Sequence, residues 1–539
     1  MASSVVVVVV GGGASGLTAA LELKKSASAY YTSPITVLVM EASSRLGGRI
    51  LPCDVPVEYE SIGGGVLYER VQLGAEYVHG GEHLLDAFLS QKNIKRIPAC
   101  VAAQGDGGPS GFQESQATVA YYCGKRKTFI RFQPDNTSST EPWLANLNAH
   151  LRSLADDSNA TSSAATTGKS VADGLPRDSF SREMADAGYG NTLAAGSCTL
   201  LDEGETRIME VAWDKQASGD ATPEGGMSRV IEELAADVCD AIRLNHYVHT
   251  IARDAETNRI RVGYVASYAH PDDANSAVPE EHANEILVDA VIYTGSLPSL
   301  AHVDVSPPLP KVVIEAARGS SHSPVAFASE AIKAAVIVRG CPYGEDSDTD
   351  LHAVICSNSL WPEISFRRAK VGDNLWVCGG FVSGTCAEDL KSACISRAGA
   401  ARWRNETCVV LLEQLDSMFG DGGKGWRASA GQLIGDHDAE VVPPSNRVVG
   451  AAAYAWGSDP HARGGYTFPR LPGASHARAS LNAALWPDAR APPFFLAGEA
   501  CGDDDGAPMT VHAAMESGRR AARRAIASIA GRGTLQSRM

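Results

Sequence analysis

Three glycines near the start of the chain have the spacing that brings a main chain close to a phosphate group. Gly11, Gly13 and Gly16 form a G-x-G-x-x-G pattern, and Glu41 follows Gly16 by 25 residues. Glycines permit a tight turn and a close backbone approach, and a helix that starts there points its amide groups at a pyrophosphate. A carboxylate about 20 residues further on binds a ribose hydroxyl. These residues therefore predict a dinucleotide site.

The elements around these glycines have to place them at one end of a parallel sheet. Six consecutive valines, residues 5–10, are typical of a strand that is buried on both faces. The apolar residues after Gly16 fit a helix, and a second apolar run, residues 35–40, ends just before Glu41. The glycine pattern alone is also compatible with an ordinary turn. The order strand, glycine turn, helix, strand and acid favours the dinucleotide interpretation.

Composition and charge exclude several classes of function. The chain has 539 residues and a formal net charge of −16. Its length fits two or three domains. The negative charge disfavours nucleic acid and anionic membranes as partners and suits a cationic ligand, although it also fits a role in solubility alone. The valine run is far shorter than the roughly 20 residues of a membrane span, and the signal-peptide pattern is absent.

The remaining chain divides by composition. Up to about residue 80 it predicts a βαβ unit followed by glycine-rich loops. Residues 158–170 are nearly featureless and indicate a surface insertion. Residues 227–242 have apolar side chains at helical spacing, and two β patterns follow them. Residues 306–310, with three prolines, could mark a domain boundary, and the chain closes with a strand, a loop and a basic helix.

Several blocks of the sequence resemble the flavin-containing amine oxidases. They are "EASSRLGGRI" (41–50), "VQLGAEYVHG" (71–80), "YAWGSDPHARGGYTFP" (454–469) and "FFLAGEA" with "APMTVHAAMESGRRAA" (494–522). Among these enzymes, the second block is most similar to polyamine oxidases. The blocks occur in the family order, whereas residues 100–220 and 310–440 match poorly.

The resemblance implies an α/β fold with two domains, both discontinuous in sequence. A Rossmann-like FAD-binding domain of the GR2 type would comprise residues 1–85, 222–308 and 445–539. An α+β substrate-binding domain would comprise residues 86–221 and 309–444, with a low-complexity insertion near 155–175.

The resemblance also implies which residues bind FAD. Gly465 stands where one branch of the family has a cysteine that bonds the flavin, so non-covalent FAD is expected. By position, the cofactor-binding residues would be Gly11, Gly13, Ala14, Ser15, Gly16, Glu41, Arg49, Gly74, Ala75, Glu76, Tyr77, Val248, Glu499, Thr510 and Val511. Thr510 and Val511 would begin the last helix, whose N-terminus would face the flavin. No metal site is expected.

The implied reaction transfers a hydride from the carbon beside an amine nitrogen to flavin N5, followed by imine hydrolysis and reduction of O2 to hydrogen peroxide. Trp456 and Tyr466 match the family's aromatic positions beside the flavin, although both could be ordinary core aromatics. Lys333 is the candidate for the family's lysine near N5. The alternatives are a plain surface role for Lys333, or Lys311 in its place.

The expected partners are a small-molecule amine and O2. His79, Glu76, Glu82 and Tyr466 are the candidate substrate-binding residues, although a lone histidine is more often structural. The residues 503–505, three aspartates, could bind an ammonium group or form a solvated loop. The aromatic residue expected shortly before Thr510 is absent.

The favoured function is therefore a polyamine oxidase that acts on spermine, spermidine or their acetylated forms. Two alternatives stay open. One is a flavin oxidase of another amine or of an L-amino acid on the same fold. The other is a catalytically inactive flavoprotein that serves as an interaction module. The oligomeric state is not indicated.

The C-terminal tripeptide, residues 537–539, reads Ser-Arg-Met and resembles the S-K-L class of peroxisomal address. It predicts binding to a peroxisomal import receptor, with a cytoplasmic location as the alternative. We expect a fluorescent reporter carrying the last ten residues to become punctate and to coincide with a peroxisomal marker in cells. A diffuse signal, equal to that of the reporter without the segment, would reject the address.

Overall fold

The structure is a computed structural model, and its largest undescribed segments are residues 133–220 and 421–447. Several predictions fall outside the described residues. They are the insertion near 155–175, His79, Glu82, residues 503–505 and the C-terminal tripeptide. The described ranges are 5–30, 35–58, 66–78, 83–98, 118–124, 128–132, 221–266, 283–343, 351–357, 359–372, 374–420, 448–469, 474–488, 490–502 and 509–536.

The described ranges contain both strands and helices. The strands are β1 Val5–Val10, β2 Ile35–Met40, β3 Pro52–Glu58, β4 Val66–Gln72, β5 Arg96–Pro98, β6 Thr118–Cys123, β7 Thr128–Phe132, β8 Ala221–Pro223, β9 Ile242–Arg243, β10 Tyr247–Arg253, β11 Ile260–Val265, β12 Ala283–Val288, β13 Ala290–Tyr293, β14 Asp304–Ser306, β15 Val325–Phe327, β16 Ala331–Arg339, β17 Leu351–Ser357, β18 Glu363–Arg368, β19 Leu375–Ser383, β20 Val448–Ala455, β21 Thr467–Pro469 and β22 Phe494–Leu496. The helices are α1 Ala14–Tyr30, α2 Leu84–Gln91, α3 Met227–Ala236, α4 Leu297–Leu300, α5 Lys311–Ala317, α6 Thr385–Ala398, α7 Trp403–Phe419, α8 Ala474–Leu481 and α9 Val511–Gln536.

A five-stranded parallel sheet carries the N-terminal glycine motif. Its strand order is β22-β13-β1-β2-β9, so it joins segments from both ends of the chain. Val7, Val8 and Val9 have no exposed surface, which confirms the predicted strand with two buried faces. Helix α1 follows β1 and packs against the C-terminal helix α9.

The first and third glycines of the motif are required by packing within the protein. Gly11 has φ of 111°, in the left-handed region that favours glycine. A Cβ atom at Gly16 would lie 1.9 Å from the Gly11 carbonyl oxygen and 2.7 Å from Thr294 Oγ1. The start of α1 can therefore contact the end of β1 only without these side chains.

The second large sheet has seven strands in the order β20-β16-β19-β18-β17-β6-β7, and β16 is antiparallel to both of its neighbours. Helices α6 and α7 pack with one face of this sheet in an apolar core that contains Trp361 and Leu412. The β3–β4 hairpin packs with the other face through Val55, Val57 and Val71. The hairpin thereby brings the segment after β4 onto the sheet.

A third sheet, in the order β12-β11-β10-β14, follows helix α3 in the chain. Strand β11 of this sheet, together with β12 and β13, confirms the two β patterns predicted after residue 242. The preceding helix is shorter than predicted, because α3 ends at Ala236 and a single turn, Cys239–Ala241, leads into β9. None of the described helices combines the length and the apolar character needed to cross a bilayer.

Replacement of Gly16 by alanine should prevent correct packing of α1, because the added carbon overlaps the Gly11 carbonyl oxygen. We expect a loss of about 3 kcal/mol in stability and little bound cofactor, measured by thermal unfolding and by absorbance of the purified protein. Gly531→Ala is the matched control, since a Cβ atom there meets nothing within 4 Å. Equal stability and cofactor content in the two variants would contradict the packing argument.

Candidate active site

Lys333 lies on β16, on the face of the seven-stranded sheet that meets the segment after β4. It is paired with Phe381 of β19 on one side and with Tyr454 of β20 on the other. Paired residues in antiparallel strands project from the same face, so these three side chains form one row. The row places one cation between two aromatic residues.

The Lys333 side chain is mostly buried, with 15% of its surface exposed, so it is not a plain surface lysine. Its ammonium group donates to a Glu76 carboxylate oxygen at 2.5 Å and to the Gly74 carbonyl oxygen at 3.3 Å. Lys311 is 89% exposed and forms an i,i+4 pair with Glu315. The geometry therefore favours Lys333 over Lys311 as the candidate lysine, and its role near N5 stays a prediction.

The segment from Leu73 to Tyr77 is pressed against the chain around Arg49. A Cβ atom at Gly74 would lie 2.0 Å from the Arg49 carbonyl oxygen, and the Ala75 amide donates to that oxygen at 3.0 Å. Glu76 and Tyr77 are partly buried. The absence of a side chain at Gly74 thus lets Glu76 reach the ammonium group of Lys333.

The two aromatic residues predicted from the C-terminal block lie near this segment and this row. Trp456 is 5% exposed, and its indole N–H donates to the Leu73 carbonyl oxygen at 3.0 Å. The Tyr466 hydroxyl group is 2.7 Å from Ser383 Oγ. The Tyr466 ring is stacked with Phe381, with centroids 6.5 Å apart. Trp456 is thereby fixed to the Leu73–Tyr77 segment and Tyr466 to β19.

Sequence reasoning missed Tyr454, Phe381 and Ser383. The Tyr454 hydroxyl group donates to Asp459 Oδ2 at 2.5 Å, and its ring lies 4.7 Å from that of Trp456. Burial, and then the charge of Asp459, raise the pKa of Tyr454, so the phenol stays protonated at neutral pH. The alignment of these residues depends on strand register, which short motifs do not encode.

Glu41 is buried at the end of β2, beside the glycine motif. One of its carboxylate oxygens accepts a hydrogen bond from the Gly12 amide at 2.6 Å, and the other accepts one from the Ser43 amide at 2.8 Å. Val248, at the start of β10, is 4% exposed. Because its side chain is buried, it would contact a ligand through its main-chain groups. The chain between β9 and β10 is tied to Glu41, because the His246 amide donates to the Glu41 carbonyl oxygen.

The residues present fit a phosphate-containing cofactor. The hydroxyl oxygen of Ser15, in the first turn of α1, is buried and has no hydrogen-bond partner among the described residues. A Cβ atom at Gly13 would meet nothing closer than 3.9 Å, so space is open there, and the first turn of α1 contains no acidic residue. Ala14 is the first residue of the helix. A helix N-terminus with an unused hydroxyl group and open space can accept an anion.

Arg49 and Glu499 join the two ends of the chain. The guanidinium group donates to Glu499 at 2.9 Å and to the Gly465 carbonyl oxygen at 2.5 Å. The Thr467 hydroxyl group donates to the same carboxylate at 2.6 Å. Each of the two predicted cofactor residues therefore positions the other, which the sequence motifs did not reveal.

Helix α9 begins at Val511, directly after Thr510, at the position where the sequence predicts it. The Thr510 hydroxyl group accepts a hydrogen bond from the Ala513 amide at 3.2 Å and so closes the first turn. Gly518, further along α9, packs on α1, since a Cβ atom there would lie 2.2 Å from the Ser15 carbonyl oxygen. The role of this helix toward a cofactor stays a prediction.

Gly465 has no room for a larger side chain. A Cβ atom there would lie 2.8 Å from Ala331 Cβ and 3.3 Å from Ala328 Cβ. The close contact with Ala331 gives a steric reason for glycine at this position. No cluster of three or more side chains that could hold a metal ion occurs in the described ranges.

Comparisons with known proteins identify the family and the fold. The model of the flavin-containing amine oxidoreductases matches residues 14–526. A solved structure described as putrescine oxidase bound to putrescine has a TM-score of 0.64 and 18% identity, over 97% of this chain and 99% of that chain. Cyclohexylamine oxidase from Brevibacterium oxydans IH-35A has a TM-score of 0.64 and 17% identity, over 98% of this chain and 99% of that one. No curated protein matched the sequence. At these identities the structures show the fold.

Replacement of Lys333 by methionine removes the cation of the row at nearly constant volume. We expect slower reaction of the reduced protein with O2 by about a hundredfold, a typical loss when one preorganised donor is removed. Stopped-flow absorbance after anaerobic reduction measures this rate. Lys311→Met is the control, because that side chain is exposed. An unchanged rate in the Lys333 variant would contradict the predicted role.

Proposed function

The chain belongs to the flavin-containing amine oxidoreductase family, and from that premise we propose that it is an FAD-dependent oxidase of polyamines or diamines that releases hydrogen peroxide. The observation that carries the proposal is the Lys333–Glu76 pair, held between the Leu73–Tyr77 segment and the aromatic residues of the row. FAD, when bound, accepts the hydride from the carbon beside the amine nitrogen. The steric limit at Gly465 supports non-covalent binding.

The residues of this chain supply position and polarity. Trp456 and Tyr466 offer aromatic surface that can orient an amine. The Ser383 hydroxyl group fixes that of Tyr466, which keeps the ring from rotating away. Lys333 provides a positive charge beside the Leu73–Tyr77 segment. This charge would stabilise the negative charge that develops on O2 as it is reduced. None of these steps requires a strong base, because the amine reacts in its neutral form.

Charge supports a substrate with a second ammonium group. The net charge of −16 attracts polycations to the protein as a whole. The Glu76 side chain is 18% exposed while its carboxylate is paired with Lys333, and we infer that this carboxylate can also contact a cationic substrate. The predicted contact of Glu82 would add a second carboxylate, and His79 would add a polar group. The similar putrescine oxidase is a protein whose structure contains a diamine.

A bulky cyclic monoamine is the second candidate substrate. The Phe381 and Tyr466 rings are stacked, with centroids 6.5 Å apart and 30° between their planes, and we infer that they form one aromatic wall. Such a wall suits an apolar ring as well as a methylene chain. The similar cyclohexylamine oxidase acts on that class of amine by its name.

A peroxide-coupled screen over diamines, polyamines, cyclic monoamines and L-amino acids tests the proposal. We expect peroxide with polyamines or diamines. Glu76→Gln should raise KM for these substrates about tenfold, the value of one charged hydrogen bond of about 1.5 kcal/mol, and leave KM for a monoamine unchanged. Glu256→Gln, an exposed position, controls for the loss of net charge. Turnover with amino acids alone would reject the polyamine assignment.

A further inference from the structure

Arg463 lies in the loop between β20 and β21, and its neighbours in the chain are fixed to the cofactor-binding parts of the structure. The Ala462 carbonyl oxygen accepts a hydrogen bond from Ser296 Oγ at 2.7 Å, just after β13. The Gly465 carbonyl oxygen accepts one from Arg49. The loop therefore runs from the end of the parallel sheet to the Arg49 side chain, and Arg463 lies between these two anchors.

The backbone of Arg463 has φ of 52°, in the left-handed region that a residue with a side chain rarely adopts. The Arg463 amide donates to the Asp459 carbonyl oxygen at 2.9 Å, and the Gly464 amide donates to that of Trp456. These bonds hold the conformation in place. Such strained residues cluster at ligand-binding sites, and glycine would satisfy the backbone here without strain.

The charge of Arg463 lies at the carboxyl end of the parallel sheet. Burial raises the pKa of Tyr247 and of Tyr293, and the positive charge of Arg463 partly offsets this rise. Burial lowers the pKa of His302, and the charge of Arg463 lowers it further. The negative charge of Glu41 also raises the pKa of Tyr293. The charges of Arg463 and Glu41 therefore both act on the phenol group of Tyr293, the last residue of β13, and Ala462 is bonded to Ser296 just beyond it.

Two other arginines of this region already have partners within the protein. Arg49 is paired with Glu499, and Arg45 donates to the carbonyl oxygens of Leu46, Gly48 and Ile50. No carboxylate in the described ranges forms an ion pair with Arg463. A diphosphate carries two negative charges, and the nearby carboxylate of Glu41 would repel it. A further cation beside the N-terminus of α1 would add to the attraction that the helix amide groups exert on the diphosphate.

We propose that Arg463 is a cofactor-binding residue that supplies this positive charge to the diphosphate part of FAD. The inference rests on the flavin cofactor of the family and is independent of which amine is oxidised. Guanidinium suits the role, because it stays charged at all relevant pH values and matches phosphate geometry. A strained arginine is then retained because its charge is needed, although glycine would fit the loop better.

Titration of the apo protein with FAD, followed by flavin fluorescence, tests the proposal without any amine. Arg463→Gly should weaken FAD binding at least tenfold, while the thermal stability of the apo protein stays the same or rises. Arg463→Lys should recover most of the affinity, since the charge is kept. Arg318→Ala removes the same charge at an exposed position and should bind FAD as the parent protein does.

Salt dependence separates a charge interaction from a packing role. The affinity of the parent protein for FAD should fall with ionic strength more steeply than that of Arg463→Gly, because one charge interaction is missing in the variant. Three results would each overturn the proposal: unchanged FAD affinity in Arg463→Gly, equal losses in the glycine and lysine variants, or a destabilised apo protein in Arg463→Gly. A failure of amine turnover, in contrast, would leave this result intact.

Discussion

The ion pair between Arg49 and Glu499 holds together parts of the chain that are 450 residues apart. Glu499 is largely buried, and such a carboxylate is stable only when its charge is matched and its oxygens accept hydrogen bonds. Arg49 and Thr467 provide both. The Gly465 carbonyl oxygen, bonded to the same guanidinium group, fixes the loop that carries the aromatic positions. This pair therefore adds to the β13–β22 strand pairing and the α1–α9 packing that bring the dinucleotide motif and the C-terminal blocks together.

A second pair, Lys333 with Glu76, links that site to the seven-stranded sheet. The sheet contributes the aromatic row, and the hairpin packed on it delivers the Leu73–Tyr77 segment. The position of the Leu73–Tyr77 segment depends on the close approach of the Gly74 backbone to that of Arg49, where no side chain would fit. The family's chemistry needs little acid–base catalysis, and the structure supplies a fixed cation and aromatic surfaces, with a carboxylate that we propose binds amines.

The sequence predicts local elements well and contacts between distant strands poorly. The valine strand, the glycine turn and the start of the last helix follow from residue patterns that local physics determines. The hairpin β3–β4 was missed and interpreted as loops, because Pro56 and the glycines at 63–65 interrupt its alternating pattern. Phe381 and Tyr454 were missed because only strand register aligns them with Lys333. The pairing of Arg49 with Glu499 was also missed, because it depends on how distant parts of the chain are arranged. The family resemblance indicated both as cofactor residues but not their contact.

The account predicts that FAD is held jointly by the two ends of the chain, and a double-mutant cycle on Arg49 and Glu499 measures this most directly. The dissociation constant of FAD would be determined for the parent protein, Arg49→Gln, Glu499→Gln and the double variant. If the two residues act as one unit, each single change weakens binding strongly and the double variant is little worse than either. Additive losses, or an apo protein that takes up no FAD in any of the four forms, would contradict the account.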